Sequence, residues 1–240
     1  MLTERPLLVS QLLLSSLGTR LFLHHGDRVP VEGPILMVSN HRSFIDAPLL
    51  MVATNRSIRF ACHHYMSQVP VMREVVAQLG CLPLDKPECR QRRFFAQATQ
   101  LLQRQQIVGI FPEGTPPMVK VTAPESVGNF QRGFMHLALR AEVPDLAILP
   151  VAIAAVEETC TAVAPLKLLS WFDPSEPLFR QGGWHPMVIY QQVNVLVGHP
   201  RWLTSSERQR YQGRAAKALV NELSHHCHAE IKQLLHQSYV

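Results

Sequence analysis

The chain has few cysteines, and their spacing does not suit cross-linking or metal binding. The five cysteines among 240 residues are scattered, odd in number and without a Cys-x-x-Cys pair. This argues against a disulfide framework and a zinc site, and favours a reducing, cytosolic setting. The tract His225-His-Cys-His228 contains metal-binding residue types, but consecutive residues on a helix point in different directions. We therefore expect a solvated helix segment there, and neither a metal nor another bound cofactor.

No apolar run is long enough for a convincing membrane span. The leucine-rich stretch from Pro6 to Leu23 comes closest, but serine, glutamine, threonine and arginine interrupt it, whereas a span needs about 20 predominantly apolar residues. A basic start followed by a small-residue cleavage site is also missing, which argues against a signal peptide. We predict a helix within residues 1–28 that either covers the core or lies in the bilayer interface, with Arg5 and Arg20 near headgroups.

Concentrated charge is missing as well. The formal net charge of +5 favours an anionic partner, which could be a phospholipid surface, a nucleic acid or a phosphorylated small molecule. The basic residues are dispersed, only short groups such as Arg90, Arg92 and Arg93 occur, and no nucleic-acid-binding signature accompanies them. We expect a membrane lipid surface and no nucleic acid among the partners, with those three arginines as candidates to face headgroups.

The hydrophobic pattern predicts a single α/β domain over residues 1–240. Short β-rich apolar runs alternate with amphipathic helical patterns, which indicates a mixed, mostly parallel central sheet flanked by helices. The predicted strands are 35–39, 58–62, 81–84, 107–111, 146–155 and 188–197, and the predicted helices are 44–54, 71–79, 87–104 and 130–141. A capping-box spacing at Thr204 and Glu207 begins a long C-terminal helix, predicted over residues 204–236.

The first candidate site follows the predicted strand 35–39 and reads Asn40-His-Arg-Ser-Phe-Ile-Asp46. Ligands of α/β sheets bind where strands end. Residues five apart do not face each other on a helix, so His41 and Asp46 can pair only if His41 lies on the preceding loop. With Ser43 as the helix N-cap, Asp46 would be the third helical residue, close to that loop. The spacing fits a catalytic pair, but it also fits a helix cap beside an idle histidine.

Further strand ends carry polar or glycine-containing segments. Gly109-Ile-Phe-Pro-Glu-Gly-Thr115 delivers Glu113 and Gly114 into a loop, where glycine lets a ligand approach the main chain closely. Arg132-Gly133 opens a predicted helix, and Leu149-Pro-Val-Ala152 belongs to the next strand. The order of these segments favours a functional site.

In these segments the sequence resembles the PlsC-type glycerophospholipid acyltransferase family, which acylates glycerol phosphates and lysophospholipids. Asn40 to Asp46 matches the Asn-His-x-x-x-x-Asp motif of that family, and Phe111 to Thr115 matches its Phe-Pro-Glu-Gly-Thr motif. Gly80 to Lys86, the Arg132-Gly133 pair and Leu149 to Ala152 correspond to the remaining blocks.

The resemblance, which covers about residues 30–155, implies a glycerol-phosphate acyltransferase-like fold. It implies transfer of a fatty acyl group from acyl-CoA or acyl carrier protein to a hydroxyl of a lysophospholipid or acylglycerol phosphate, by a peripheral or monotopic protein at the cytoplasmic face of a membrane. His41 would be the general base and Asp46 would orient it, since imidazole can accept a proton near neutral pH. The residues implied to bind substrate are Asn40, Lys86, Glu113, Gly114, Thr115 and Arg132.

The chain departs from the family at Pro116, where the family usually has an arginine. Proline has neither charge nor a main-chain donor, so a bidentate phosphate clamp is lost. Either Lys86, Lys120 or Arg132 binds the phosphate instead, or the acceptor carries no phosphate next to its hydroxyl, as in an aminolipid, sterol, quinol or pigment. A lipid-binding protein that has lost catalysis is the third hypothesis.

Overall fold

The computed structural model describes residues 5–63, 66, 68, 70–84, 90–174 and 176–238. Within them, the chain folds around one eight-stranded sheet. The strands are β1 Arg20–His24, β2 Ile35–Ser39, β3 Ile58–Cys62, β4 Leu82–Pro83, β5 Ile107–Ile110, β6 Ala147–Pro165, β7 Trp184–Val197 and β8 Arg201–Trp202.

The sheet is mixed and mostly parallel, as predicted. Its strand order is β1-β7-β6-β2-β5-β3-β4, with β8 beside β6. β7 and β8 run antiparallel to β6, and the other neighbouring pairs are parallel. Every residue of β2 is buried, as expected for a parallel strand covered on both faces. Because β2, β5 and β3 are parallel neighbours, these strands end at the same edge of the sheet.

Helices cover both faces of the sheet. They are α1 Arg5–Ser16, α2 Asp46–Thr54, α3 Pro70–Gln78, α4 Arg90–Gln103, α5 Pro116–Val119, α6 Gly133–Arg140, α7 Leu166–Leu169, α8 Ser205–Arg210 and α9 Gly213–Ser238. Along β2 the side chains alternate between two cores. Leu36 and Val38 pack in the core with α4, α6 and α9, whereas Ile35 and Met37 pack in the core with α1 and α2.

The N-terminal prediction was wrong in its extent. α1 ends at Ser16, Gly18 has a positive φ of 66°, and Leu21 and Leu23 belong to β1, where pairing with β7 overrides the helical pattern. One face of α1 buries Leu14 in the core, as expected if this helix covers the core. Its opposite face exposes 56% of Leu8 and 63% of Leu12.

The C-terminal segment forms two helices instead of the predicted one. The capping box is confirmed, because the Thr204 side chain accepts from the Glu207 main chain and the Glu207 carboxylate accepts from the Thr204 main chain. α8 nevertheless ends at Arg210, and α9 begins at Gly213, which has a positive φ of 54°. This glycine permits the change of direction between the helices.

The largest difference between the predicted and observed strands concerns β6 and β7. The prediction stopped at Ala155 and started again at residue 188, but the two strands continue as an antiparallel ribbon to Pro165 and Trp184. The added part of β6 is mostly exposed and mixes Glu and Thr with small apolar residues, so it lacks the apolar run that marks a buried strand. α7 and a short 3-10 turn, Pro177–Arg180, close the end of this ribbon.

Other bounds differ less. β2 and β3 match their predicted ranges, whereas α2 and α6 begin two and three residues later than predicted, at Asp46 and Gly133. Residues 85–89, where α4 was predicted to begin, lie outside the described residues.

Among the described residues, no helix is long and apolar enough to span a bilayer. The same part of the chain contains no group of three or more His, Cys, Asp or Glu that could hold a metal ion. His225 and His226 are exposed on α9, and Cys227 is buried against the core.

Candidate active site

The loop between β2 and α2 brings His41 and Asp46 together. His41 Nδ1 lies 2.8 Å from Asp46 Oδ2, and the carboxylate is fully buried. The same oxygen accepts hydrogen bonds from the main-chain amides of Arg42 at 2.7 Å and Ser43 at 2.8 Å. These bonds compensate the cost of burying a charge, so the carboxylate is held in one orientation beside the imidazole.

The predicted N-cap was wrong. α2 begins at Asp46, its N-cap residue is Ile45, and no side chain caps it. The Asp46 carboxylate accepts from the main-chain amides of Arg42 and Ser43. The Ser43 hydroxyl accepts from the Ile45 amide at 3.3 Å and donates to the Val188 carbonyl of β7 at 2.5 Å.

Tyr190 of β7 completes the carboxylate site and was missed in the sequence. Its hydroxyl donates to Asp46 Oδ1 at 2.8 Å. Burial, together with the neighbouring Asp46 charge, raises the pKa of Tyr190 well above its usual value. Tyr190 therefore stays protonated as a donor. The tyrosine lies 144 positions beyond Asp46, and a single tyrosine in an apolar strand carries no sequence signal for this contact.

An aromatic stack orients the imidazole from the other side. His41 stacks on Phe111 with ring centroids 4.1 Å apart, and Phe111 stacks on Phe60 at 5.0 Å. Gly109 makes room for this arrangement, because a Cβ there would lie 2.2 Å from the Phe60 ring. With Nδ1 bonded to Asp46, the Nε2 atom of His41 has no hydrogen-bond partner among the described residues. His41 also lines a cavity.

Glu113 connects two loops. Its Oε1 accepts from the main-chain amide of His41 at 2.9 Å, and its Oε2 accepts from that of Gly128 at 2.5 Å. Burial raises the pKa of Glu113 despite these two hydrogen bonds, which act in the opposite direction. The carboxylate thus contacts main-chain donors and does not line the cavity, so its geometry suits bracing of the His41 loop better than the predicted substrate contact.

Asn40 also contacts the main chain. Its Nδ2 donates to the Ile153 carbonyl at 2.9 Å, and its Oδ1 accepts from the Ile153 amide at 2.8 Å. The side chain is buried and ties the end of β2 to β6. These contacts suit positioning of the loop that carries His41, and the substrate contact of Asn40 stays a prediction.

Of the remaining residues predicted to bind substrate, some line the cavity and others do not. Gly114, with φ +73°, and Thr115 line the cavity. Arg132 is exposed, and the cavity wall includes its neighbours Gln131 and Gly133 instead. Lys86 lies outside the described residues.

Arg42 was not singled out in the sequence, yet it is buried. Its guanidinium forms a bidentate ion pair with Glu158 at 2.6 and 2.8 Å and donates to the Thr122 carbonyl at 2.7 Å. Burial acts to lower the pKa of Arg42, but the hydrogen bond and charge of Glu158 outweigh it and raise the pKa. This pair fixes the catalytic loop to the β6–β7 ribbon.

A cavity of about 690 Å³ adjoins His41. Its volume lies in the range of small-molecule sites, about 300–1,000 Å³. Aliphatic, aromatic and sulfur-containing side chains from β3, α3, the turn after α3 and α4 dominate its walls, including Val76, Leu79, Cys81, Phe94 and Phe95. Among the described lining residues there is no Lys, Arg, Asp or Glu. The cavity is thus an apolar compartment with an imidazole in its wall.

Comparisons with known proteins identify the family and the fold. The chain is similar to the crystal structure of the 1-acyl-sn-glycerophosphate acyltransferase PlsC from Thermotoga maritima, with a TM-score of 0.61 and 15% sequence identity over 99% of this chain and 79% of that one. No curated protein matches the chain. The acyltransferase family model matches residues 20–154, which is more than half of the chain and includes the segments that carry the resemblance. The chain therefore belongs to the acyltransferase family of enzymes.

Proposed function

We propose that the chain transfers a fatty acyl group from a thioester donor, acyl-CoA or acyl carrier protein, to a hydroxyl of a glycerolipid or related lipid. One observation carries the proposal. His41, oriented by the buried Asp46, lies in the wall of an apolar cavity large enough for a lipid chain. A base beside a hydrocarbon-binding compartment suits acyl transfer, because an acyl chain and a nucleophile must be held at the same point.

In the proposed mechanism, Nε2 of His41 takes the proton of the acceptor hydroxyl as the oxygen attacks the thioester carbonyl carbon. The tetrahedral intermediate then collapses, the carbon–sulfur bond breaks, and the imidazolium returns its proton to the departing thiolate. Asp46 keeps the imidazole in the tautomer that presents Nε2 and stabilises its charged form, as the carboxylate does in a Ser-His-Asp triad. The protein supplies no covalent nucleophile in this scheme.

The test is turnover of His41→Ala with acyl-CoA and lipid acceptors, followed by mass spectrometry of the products. Loss of the base is expected to lower kcat by about 10²- to 10⁴-fold. His225→Ala, which removes an exposed histidine on α9, is the matched control. Near-normal turnover of a folded His41→Ala protein contradicts the role of His41. Absence of any acylated product from the wild type favours the lipid-binding alternative.

Membrane attachment is part of the proposal, and α1 is the element that supports it. Leu8 and Leu12 are four residues apart, share one exposed face of the helix, and are opposite the buried Leu14. Leu13 of the same helix lines the cavity, so a bilayer at this face would lie close to the lipid-binding compartment. The net charge of +5 suits an anionic leaflet.

Co-sedimentation with phosphatidylglycerol vesicles tests this attachment. Leu8→Ser combined with Leu12→Ser is expected to lower the bound fraction, because two apolar side chains leave the interface. Val31→Ser is the control, since Val31 is 89% exposed and belongs to the loop before β2 instead of to α1. Equal binding of the double variant and the wild type argues against α1 as the docking surface.

A further inference from the structure

A cluster of ionisable side chains lies against the cavity wall, apart from the His41–Asp46 pair. Glu176 Oε2 accepts from the Thr115 hydroxyl at 3.2 Å and lies 3.2 Å from His63 Nε2. His63 Nδ1 faces Asp173 Oδ2 at 3.5 Å. Thr115 and His63 both line the cavity, and the two carboxylates stand behind them. We call these four residues the Glu176 cluster.

The cluster is built into the fold. Glu176 Oε1 accepts from the Leu178 amide at 3.3 Å, and the His63 ring packs edge-on against Phe179. Phe179 is buried in a small core with Val119 and Leu166. The end of the β6–β7 ribbon is thereby fixed against the Thr115 loop, and the position of Glu176 is set by packing.

The hydrogen bonds of the cluster determine the polarity of this wall. The Thr115 hydroxyl uses its proton toward Glu176, so its oxygen presents lone pairs to the cavity. The Glu176 carboxylate lies directly behind this hydroxyl. The polar side of the cavity at Thr115 therefore accepts hydrogen bonds.

A phosphate monoester does not suit such a wall. It offers only negative oxygens and needs cationic or multiple donor partners. Gln131 supplies one neutral amide to the cavity, and no Lys or Arg belongs to its described lining. Arg132 and Lys120 are exposed, and Pro116 follows Thr115 directly. Among the described residues, the surroundings of Thr115 thus offer an acceptor oxygen and a nearby carboxylate, and no cation, to the phosphate that the family resemblance implies.

We infer that the Glu176 cluster selects the acceptor, and that this acceptor carries a hydrogen-bond donor, a further hydroxyl or an ammonium group, in place of a phosphate beside its reactive hydroxyl. The inference rests on the proposed acyl transfer and narrows its substrate class. Thr115 contacts the donor group directly. Glu176 acts through Thr115 and through its charge, as a specificity-determining residue.

Three long-chain acceptors test it with a single acyl-CoA donor: a 1-acylglycerol, a long-chain amino alcohol and a 1-acylglycerol 3-phosphate. The wild type is expected to show a kcat/KM for the phosphate that is lower by on the order of tenfold or more than the better of the other two. The neutral and cationic acceptors separate hydroxyl recognition from ammonium recognition. Highest kcat/KM with the phosphate overturns the inference while leaving acyl transfer intact. Absence of transfer to all three refutes the proposed function itself.

Glu176→Gln supplies the residue-level test, because it keeps the side-chain shape and removes the charge. The ratio of kcat/KM for the phosphate to that for the 1-acylglycerol is expected to rise about tenfold, mainly through KM. Glu157→Gln, an exposed carboxylate on the outer part of β6, is the matched control and leaves the ratio unchanged. The double variant Glu176→Gln with Pro116→Arg is expected to raise it further. A ratio that stays constant in both cluster variants, with their thermal unfolding unchanged, overturns the role of Glu176.

Discussion

Removal of the Tyr190 hydroxyl tests the geometry of the proposed catalytic pair, His41 and Asp46. Asp46 receives hydrogen bonds on both carboxylate oxygens. Oδ1 accepts from Tyr190, whereas Oδ2 accepts from His41 and from the main-chain amides of Arg42 and Ser43. Tyr190→Phe deletes the donor to Oδ1 and keeps the ring, which is buried in the core. The substitution therefore separates support of the carboxylate from orientation of the imidazole.

The magnitudes differ for stability and turnover. A hydrogen bond to a charged group contributes about 1.5–3 kcal/mol, and its loss leaves a buried oxygen without this donor. We expect the free energy of unfolding of Tyr190→Phe to fall by about that amount. The three bonds to Oδ2 remain, so kcat is expected to fall by less than about tenfold. Asp46→Asn also disrupts the contact to His41, and a loss on the order of 10⁴-fold is expected by analogy with the triad carboxylate.

Urea unfolding followed by circular dichroism, with kcat measured on the same preparations, checks both quantities. Tyr211→Phe is a matched control, because its hydroxyl contacts His136 and Arg140 away from the cavity. Two results would refute the reasoning. Unchanged stability of Tyr190→Phe would show that the buried hydrogen bond contributes nothing, and a loss of kcat equal to that of Asp46→Asn would show that Oδ2 alone does not orient His41.

Three further predictions address the cavity, the stack and the C-terminal capping box. A hydrogen bond from the Cys62 thiol, together with the charge of Arg59, lowers the pKa of Cys81 in the cavity wall, so iodoacetamide should alkylate Cys81. Long-chain acyl-CoA at ten times its Kd should slow this alkylation roughly tenfold and leave alkylation of the exposed Cys160 unaffected, as measured by mass spectrometry. Equal slowing at both cysteines, or at neither, contradicts the acyl-binding role of the cavity. Gly109→Ala places a Cβ against the Phe60 ring, so overpacking should lower stability by about 1–3 kcal/mol in urea unfolding, together with kcat; wild-type values for both would refute the close packing. Burial acts to raise the pKa of Glu207, but hydrogen bonds from Thr204 and Arg201 outweigh it and lower the pKa. The difference in free energy of unfolding between wild type and Glu207→Gln should therefore reach its full size above the ordinary pKa of a glutamate and vanish as the pH falls through the lowered pKa. A difference that persists in acid would contradict this.

The sequence predicted the centre of the fold better than its periphery. β2 was placed correctly because a strand buried on both faces reads as an uninterrupted apolar run, and β3 because buried and partly exposed residues alternate along it. The outer part of β6 and the strand β1 were not, because their residues are paired by tertiary contacts that no local period reveals. The break before Gly213 was missed because α8 contains no apolar residue whose period could mark where one helix ends.

Within the site, the local pair was predictable and the distant partners were not. His41 and Asp46 are five residues apart, so geometry alone limits how they can meet. Tyr190 and Glu158 reach the same loop from the β6–β7 ribbon, more than 100 positions away. The Glu176 cluster is likewise assembled from separate parts of the chain, so only the folded arrangement reveals it.

The motifs also predicted where polar residues lie around the site better than they predicted what those residues bind. Glu113 and Asn40 were both predicted to contact substrate, and both bind main-chain groups of neighbouring loops and strands. A polar residue at a strand end can serve the ligand or the loop. The choice depends on which donors and acceptors come within reach after folding, and a pattern of residue types does not contain that distance.

The hydrogen bond from the His41 amide to the Glu113 carboxylate links the proposed base directly to the Phe111–Thr115 segment. A shift of the Phe111–Thr115 segment, for instance when an acceptor binds against Thr115, would be transmitted through the Glu113 carboxylate to the peptide that carries the imidazole. Binding at the acceptor side could in this way adjust the reach of Nε2 toward the hydroxyl. Glu113 would then couple binding of the acceptor to proton transfer, although its carboxylate binds main-chain amides and does not line the cavity.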